Sequence, residues 1–177
     1  MKRNLLHILL LAIGVLPLQR LEAKELMYYV DICNFYDNSG KPYCEIYLDI
    51  DAHTVGYAKA EDGGLQGALE IQYLITKKGT DADDALAYDK KFELLSPIVT
   101  DSSADQTRFG IMDIRRISLP PGNYEFKGYI KDKITPNAHQ HQFVFDILVK
   151  PQPTGFISFS DIEFVQSVRP SAMQRPN

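Results

Sequence analysis

The feature that most constrains the fold of this chain is the stretch of residues 117–132, ISLPPGNYEFKGYIKD. Two prolines and a glycine (residues 120–122) predict a tight turn, because proline presets φ and glycine accepts a left-handed conformation. After the turn, apolar and polar side chains alternate. One face carries Tyr124, Phe126 and Ile130, and the other carries Glu125, Lys127, Tyr129 and Lys131. This pattern indicates a half-buried antiparallel strand entered through a sharp corner.

The same alternation recurs between turn residues along most of the chain and predicts further strands. They cover residues 27–36, 43–50, 68–76, 88–95, 108–119 and 142–149. In the strand over residues 108–119 the alternation slips between Asp113 and Ile117, which predicts a β-bulge. Seven to eight short strands without a helical period predict an all-β fold, an immunoglobulin-like antiparallel β-sandwich. A closed barrel is the alternative, since periodicity does not decide closure.

Residues 1–23 are interpreted as a signal peptide and not as part of the folded domain. Lys2 and Arg3 precede an apolar run over residues 5–18, and Ala23 offers a small residue for cleavage. The run is short and broken for a membrane span, and an uncleaved N-terminal anchor is the alternative. The sequence therefore predicts a secreted or periplasmic protein, with a β-sandwich domain in residues 24–150 and no membrane span after cleavage.

The net charge of the chain and the absence of known catalytic motifs argue against two classes of function. Cleavage after Ala23 removes three basic residues and one acidic residue, so the mature chain is more acidic than the full sequence, whose formal net charge is −4. An acidic surface without a basic run repels phosphate backbones, so nucleic-acid binding is not expected. The sequence contains no G-x-S-x-G, H-E-x-x-H, P-loop or Rossmann fingerprint. We therefore expect neither enzymatic activity nor a cofactor.

Two short clusters of ligand-type residues do not predict a metal site. Residues 81–84 (DADD) bring carboxylates together but lack the glycine and the distal glutamate of an EF-hand loop, which favours a solvated turn. His139 and His141 share one face of a strand, but no third ligand stands near them in the sequence. We expect no bound metal.

The two cysteines, Cys33 and Cys44, flank a turn at residues 37–40. In an oxidising compartment a short hairpin loop would place them opposite each other, where a disulfide can form. Because bridge geometry is demanding, the pattern favours two buried thiols that act as small apolar residues.

Three tyrosines occupy outward strand positions and are the candidate binding residues: Tyr43, Tyr47 and Tyr129. Exposed tyrosines stack on sugar rings or anchor protein interfaces, and they also cover the outer face of a sheet. A glycan-binding module is therefore one interpretation. The absence of tryptophan, the strongest stacking platform, weakens it.

The C-terminal residues 151–177 combine a proline-rich linker, one more predicted strand over residues 156–165 and a polar tail. The apolar residues of that strand are Phe156, Ile157, Phe159, Ile162 and Phe164. A lone strand needs a partner, so it either folds back as a sandwich edge or enters a further domain. It is the candidate interaction strand, acting by β-strand addition.

Several segments together resemble the N-terminal β-rich region of the bacterial GWxTD-domain proteins. They are residues 29–31 (YVD), 35–37 (FYD), 40–43 (GKPY), 45–47 (EIY), 119–124 (LPPGNY) and 158–163 (SFSDIE). The Gly-Trp-x-Thr-Asp segment that names the family is absent, and the chain has no tryptophan. The resemblance implies an exported bacterial protein and supplies no catalytic residues.

These observations predict an exported, non-catalytic β-sandwich that acts as an interaction or structural module. Its expected partner is another protein or a missing C-terminal domain. The alternatives are a glycan-binding module and a fragment of a larger multidomain exported protein.

Overall fold

The computed structural model of this protein describes residues 25–79, 84–103, 105–153, 155 and 159–162. Within these residues the chain forms nine β-strands. They are β1 (Tyr28–Tyr36), β2 (Pro42–Asp51), β3 (Ala58–Lys59), β4 (Leu65–Gln66), β5 (Ala68–Lys77), β6 (Ala85–Leu95), β7 (Gly110–Ser118), β8 (Gly122–Asp132) and β9 (Gln140–Val149). The helical structure in this part of the chain is a single 3-10 turn, Ala52–Thr54, and none of it is long and apolar enough to span a bilayer. The predicted signal peptide lies outside the described residues.

Seven of these strands form two antiparallel sheets. The three-stranded sheet has the order β1-β2-β7, and the four-stranded sheet has the order β6-β5-β8-β9. β3 and β4 form a separate short ribbon that the sequence pattern did not predict. The inner faces of the two sheets contribute to one hydrophobic core, which confirms the all-β sandwich. The immunoglobulin-like topology stays a prediction.

The core consists of the alternate residues that the sequence predicted to point inward. On β2 these are Cys44, Ile46, Leu48 and Ile50; on β5 they are Leu69, Ile71, Tyr73 and Ile75; on β8 they are Tyr124, Phe126 and Ile130. The Phe126 ring lies 5.2 Å from that of Tyr73 and 5.5 Å from that of Phe143. Gly128 pairs directly with Phe143, whose ring would lie 1.9 Å from an added Cβ, so the absence of a side chain makes room for this ring.

The proline corner before β8 is closed by a side-chain hydrogen bond. The hydroxyl group of buried Tyr124 donates to the carbonyl oxygen of Pro120 at 2.7 Å. A tyrosine at the start of a strand that bonds back to the preceding corner is a hallmark of immunoglobulin-type sandwiches. The alternation predicted a buried ring at this position, and the corner gives its hydroxyl group a partner.

Tyr124→Phe is expected to lower the free energy of unfolding by about 1 kcal/mol, because the corner loses the hydrogen bond to the Pro120 carbonyl oxygen while the ring remains packed. Urea denaturation measures the change. Tyr129→Phe is the matched control, since Tyr129 is on the outward side of the same strand, and its effect should stay within about 0.5 kcal/mol. Equal effects of the two substitutions would contradict a stabilising corner.

The β-bulge predicted in β7 is wrong. β7 pairs with β2 without interruption, from the pair Tyr43 and Ser118 to the pair Asp51 and Gly110. The alternation slips in the sequence because Asp113, a charged residue, occupies an inward position of a regular strand. A register irregularity does occur elsewhere, between Ile75 and Thr76, where β5 pairs with β6.

Candidate functional site

The outer face of the three-stranded sheet carries a group of exposed apolar side chains. Directly opposed residues of an antiparallel pair point to the same side, so the register defines this face. From β1 it takes Tyr29, Asp31, Cys33 and Phe35; from β2 Tyr43, Glu45, Tyr47, Asp49 and Asp51; from β7 Gly110, Met112, Ile114, Arg116 and Ser118. Met27 extends it just before β1. The exposed fractions are 61% for Met27, 67% for Tyr29, 61% for Met112 and 55% for Ile114, and we call these four residues the apolar patch.

The outer face of the four-stranded sheet differs in chemistry. Its central positions carry lysines paired with carboxylates, at 2.8 Å for Lys91 and Glu70 and 2.5 Å for Lys127 and Glu125. Apolar residues are also exposed there on both edge strands, Leu86 and Leu95 on β6 and Val144 and Leu148 on β9. The ion pairs between them are typical of a solvated surface and contribute little stability. Because ion pairs lie between the exposed apolar residues of this face, we take the outer face of the three-stranded sheet as the candidate interaction face.

At one end of the candidate interaction face, the side chains contact one another. The Tyr43 ring stacks on Phe35 at 5.7 Å, and the Arg116 guanidinium group lies 5.0 Å from the Tyr43 ring centroid. Arg116 pairs with Glu45 at 2.5 Å, and this hydrogen bond raises the pKa of Arg116. Tyr47 donates its hydroxyl proton to the same carboxylate. The charges at this end are therefore balanced, and Tyr43 is flanked on both sides.

The other end of the face is acidic. Asp31, Asp49 and Asp51 are exposed there, and none of them makes an ion pair within the described part of the chain. Asp49 and Asp51 line an open hollow of about 480 Å³, which we call the acidic hollow. Its other lining residues include Met27, Tyr28, Tyr29, Arg108, Phe109 and Gly110.

A glycine shapes the acidic hollow. An added Cβ at Gly110 would lie 2.0 Å from Oδ1 of Asp49, so the bare backbone allows this carboxylate to lie against β7. Arg108, the nearby cation, is 3.6 Å from Asp105 and makes its ion pair there. The hollow therefore combines two carboxylates with apolar walls, and the one cation among its described lining residues, Arg108, is paired with Asp105.

The predicted tyrosine cluster is divided between the two sheets. Tyr43 and Tyr47 lie on the candidate face, whereas Tyr129 lies on the outer face of the four-stranded sheet, opposite Gln72 and Gln142. The three rings therefore do not form one sugar-stacking platform. Sequence reasoning missed the more exposed residues of the patch, although apolar residues at the outward positions 112 and 114 would have been a usable signal.

The cysteines are two buried thiols, as the sequence favoured, and the alternative disulfide between Cys33 and Cys44 is wrong. Cys33 is opposite Glu45 and Cys44 is opposite Asn34, so the register is offset by one residue. Because successive side chains point to opposite faces, the two thiols lie on different sides of the sheet. Burial raises the pKa of the Cys44 thiol to about 11, which keeps it protonated and unreactive at neutral pH.

The candidate interaction strand is described only in part. Phe156, Ile157 and Phe164 lie outside the described residues, and residues 159–162 are not in a strand. Phe159 and Ile162 are 88% and 76% exposed. Asp161 donates its N–H to the Asn34 carbonyl oxygen at 3.0 Å and accepts from the Asn34 N–H at 2.7 Å, so the tail touches the edge strand β1 at this point.

His139 and His141 line a cavity of about 310 Å³ at one end of the sandwich, together with Glu25, Leu26, Asp132, Thr135 and Ala138. No group of three side chains suited to a metal ion occurs among the described residues. The His141 ring packs edge-on against the Tyr28 ring, with 5.8 Å between the ring centroids. The Asp132 carboxylate accepts a hydrogen bond from the Thr135 hydroxyl group in the neighbouring loop. Of the predicted acidic turn, only Asp84 belongs to the described residues.

No family model matches the chain, and no curated protein matches it. The resemblance to the GWxTD-domain proteins stays a prediction.

Proposed function

We propose that this protein is an exported, non-catalytic β-sandwich that acts as an interaction module through the outer face of its three-stranded sheet. The observation that carries the proposal is the apolar patch. A solvent-facing strand normally carries polar residues at outward positions, because exposed apolar area loses the favourable transfer out of water. The patch consists of two apolar pairs, Met27 with Tyr29 on one side of β2 and Met112 with Ile114 on the other, and exposed apolar surface rimmed by polar groups is typical of a binding surface.

Aromatic residues support the same assignment. Tyr47 lies directly opposite the patch residue Ile114, and Tyr29, itself part of the patch, lies across Asp49 from Met112. Tyrosine supplies a large contact area at a small cost in conformational entropy, and it is enriched among residues that dominate binding energy. A partner that covers this face would bury these rings together with the methionine and isoleucine side chains.

Within this proposal the chain is one part of a larger exported assembly, as its resemblance to the GWxTD-domain proteins implies. The partner is then a separate protein or a domain that follows the linker. A non-catalytic role agrees with the absence of catalytic motifs from the sequence.

The test compares two double variants that remove equal numbers of exposed apolar residues. Met112→Ser with Ile114→Ser alters the patch, and Val144→Ser with Leu148→Ser alters the other outer face. The tagged full chain is produced in its own host, cross-linked there, and captured proteins are quantified by mass spectrometry. We expect the partner signal of the patch variant to fall at least tenfold, because truncating a side chain at the centre of an interface costs about 1 kcal/mol or more, and two such losses together exceed a factor of ten.

The control variant should retain that signal. Urea denaturation of both variants checks that each remains folded. An identical set of captured proteins, in identical amounts, for the native chain and the patch variant would contradict the proposal.

A further inference from the structure

We propose that the outer face of the three-stranded sheet binds a single cationic segment of a partner polypeptide, with a lysine or arginine side chain seated in the acidic hollow. This inference rests on the proposed interaction function and specifies the chemistry of the partner. The apolar patch and the carboxylates lie on the same face of the sheet, so one segment can contact both.

The size of the face favours a segment over a second copy of the chain. β1 has nine residues and the sheet has three strands. At about 3.3 Å per residue and 4.8 Å per strand, the face covers roughly 400 Å². A stable interface between folded domains buries about 800 Å² on each partner. One strand or one short helix matches this area, whereas a dimer would need additional surface.

The charge of the face specifies a cationic partner. Asp49 and Asp51 stand two residues apart on one face of β2, which is about 7 Å, and Asp31 lies on the neighbouring strand. Like charges at this spacing repel each other, and a cation placed among them relieves that repulsion. A second copy would bring the same carboxylates, while its Arg116 is already paired with Glu45 and its Arg108 with Asp105. A partner segment with lysine or arginine is therefore complementary.

The acidic hollow has the mixed lining that a long cationic side chain needs. Met27 and Tyr29 supply apolar walls for an alkyl stem, while Asp49 and Asp51 supply carboxylates for the charged head. Lysine and arginine side chains bury their stems and keep their heads in polar surroundings in this way. The ring of Tyr29 adds a face that attracts a cation.

The free edge of β1 is a less suitable site for an added strand. An incoming strand must bond to backbone groups that point outward from the edge. The N–H of Ile32 already donates to Asp31 Oδ1 at 2.8 Å, and the N–H of Asn34 donates to Asp161 Oδ2 at 2.7 Å. Carboxylates thus occupy two edge donors, which is a known protection against strand addition. The face of the sheet offers the Asp49 carboxylate and the Oδ2 atoms of Asp31 and Asp51, whose Oδ1 atoms accept from the N–H groups of Ile32 and His53.

The test uses two defined peptides of equal length, one alternating leucine and lysine and one alternating leucine and glutamate. Each is titrated into the 15N-labelled mature chain, and amide shifts are followed by NMR. We expect the leucine–lysine peptide to shift amides of β1, β2 and β7, and to bind more weakly as salt is raised. The leucine–glutamate peptide should leave these amides unchanged.

A charge variant locates the site. Asp49→Asn with Asp51→Asn should weaken binding of the leucine–lysine peptide about fivefold, since each exposed ion pair contributes a factor of about two or three. The matched control, Asp89→Asn with Asp146→Asn, removes two exposed aspartates from the outer face of the four-stranded sheet and should bind as the native chain does.

Three results would overturn the inference: equal binding of the two peptides, shifts centred on the four-stranded sheet, or unchanged affinity of the Asp49 and Asp51 variant. Self-association through this face, seen by sedimentation of the native chain, would assign it to a second copy instead. The proposed function is tested by a separate experiment. It is contradicted only if the double variant of Met112 and Ile114 keeps its captured partners.

Discussion

Asp132→Ala is expected to lower the free energy of unfolding by about 3 kcal/mol, because it removes a buried carboxylate that accepts four hydrogen bonds from partly buried donors. Oδ2 of Asp132 accepts from the Gly56 N–H at 2.7 Å and the Thr135 hydroxyl group at 2.6 Å, and Oδ1 accepts from the N–H groups of Ile134 and Thr135. The carboxylate therefore joins the end of β8 to the segment after β2. Denaturation in urea at pH 7 measures the loss, which corresponds to a fall in Tm of about 10 °C.

This contribution should depend on pH in a defined direction. Burial alone would raise the pKa of Asp132, but the combined hydrogen bonds from Thr135, Gly56 and Ile134 outweigh it and lower the pKa below its ordinary value. The charged form is thus the stabilising one. Its contribution is complete above the unfolded pKa of about 3.9 and is lost as the pH falls through the lower folded value.

The difference in stability between the native chain and Asp132→Ala should accordingly be constant from pH 5 to pH 8 and should shrink below about pH 4. Asp146→Ala is the matched control, since Asp146 is an exposed aspartate on β9 whose ion pair with Lys78 lies at the surface. Its effect should stay within about 0.5 kcal/mol. A difference for Asp132 that grows as the pH falls would show that the neutral form is the stabilising one.

The role of Asp132 was partly readable from the sequence. Aspartate followed three residues later by threonine is a common turn pattern, in which the carboxylate bonds to backbone N–H groups just ahead. That pattern predicts the bonds to Ile134 and Thr135. The bond to Gly56 joins residues 76 positions apart, and local patterns contain no information about such a contact.

The alternation predicted which face of each strand is buried, but it did not predict which sheet each strand joins. Leu69, Ile71 and Tyr73 are all fully buried, as expected from a period of two. Tyr47 and Tyr129 both point outward, yet they lie on opposite sides of the molecule because β2 and β8 belong to different sheets. The assignment of strands to sheets arises from long-range pairing, so a site that spans several strands cannot be assembled from local periodicity.

The register between paired strands is a second property that the alternation of apolar and polar residues does not predict. The turn after β1 connects Tyr36 and Pro42, which pair directly, and this fixes Cys33 opposite Glu45. A shift of one residue would have placed the two thiols opposite each other on the same face. Turn residues alone did not decide between these registers, and the sequence therefore left the disulfide as an alternative.

Charged residues at inward positions are the third feature of the fold that the alternation does not predict. Asp113 and Arg115 point to the inner side of β7, between the buried residues Ile111 and Ile117. Nε of Arg115 donates to both carboxylate oxygens of Asp113, at 3.0 Å and 2.9 Å, and its guanidinium group stacks 3.8 Å from the centroid of the Phe92 ring. The hydrogen bond to Asp113 raises the pKa of Arg115, so the guanidinium group is charged.

Arg115→Met is expected to destabilise the protein by about 2 kcal/mol, because it leaves the nearly buried Asp113 carboxylate unpaired; the partial exposure of Arg115 keeps the loss below that of a fully buried pair. Asp113→Leu combined with Arg115→Met should recover most of this loss, since apolar side chains suit the sandwich interior. Urea denaturation of the single and double variants measures the coupling. A double variant as unstable as the sum of its two single variants would show that the charges do not act as a pair.

The recovered stability is expected to come with a loss of solubility. β7 and β6 are edge strands of the two sheets, and inward-pointing charges on an edge strand oppose pairing with another chain. The double variant should therefore form larger species in sedimentation velocity at concentrations where the native chain does not. If it remains as dispersed as the native chain, the pair does not protect the edge. If it associates, Asp113 and Arg115 lower the stability of the fold but protect an exposed edge strand from pairing with another chain. This role explains why a regular strand contains an irregular sequence.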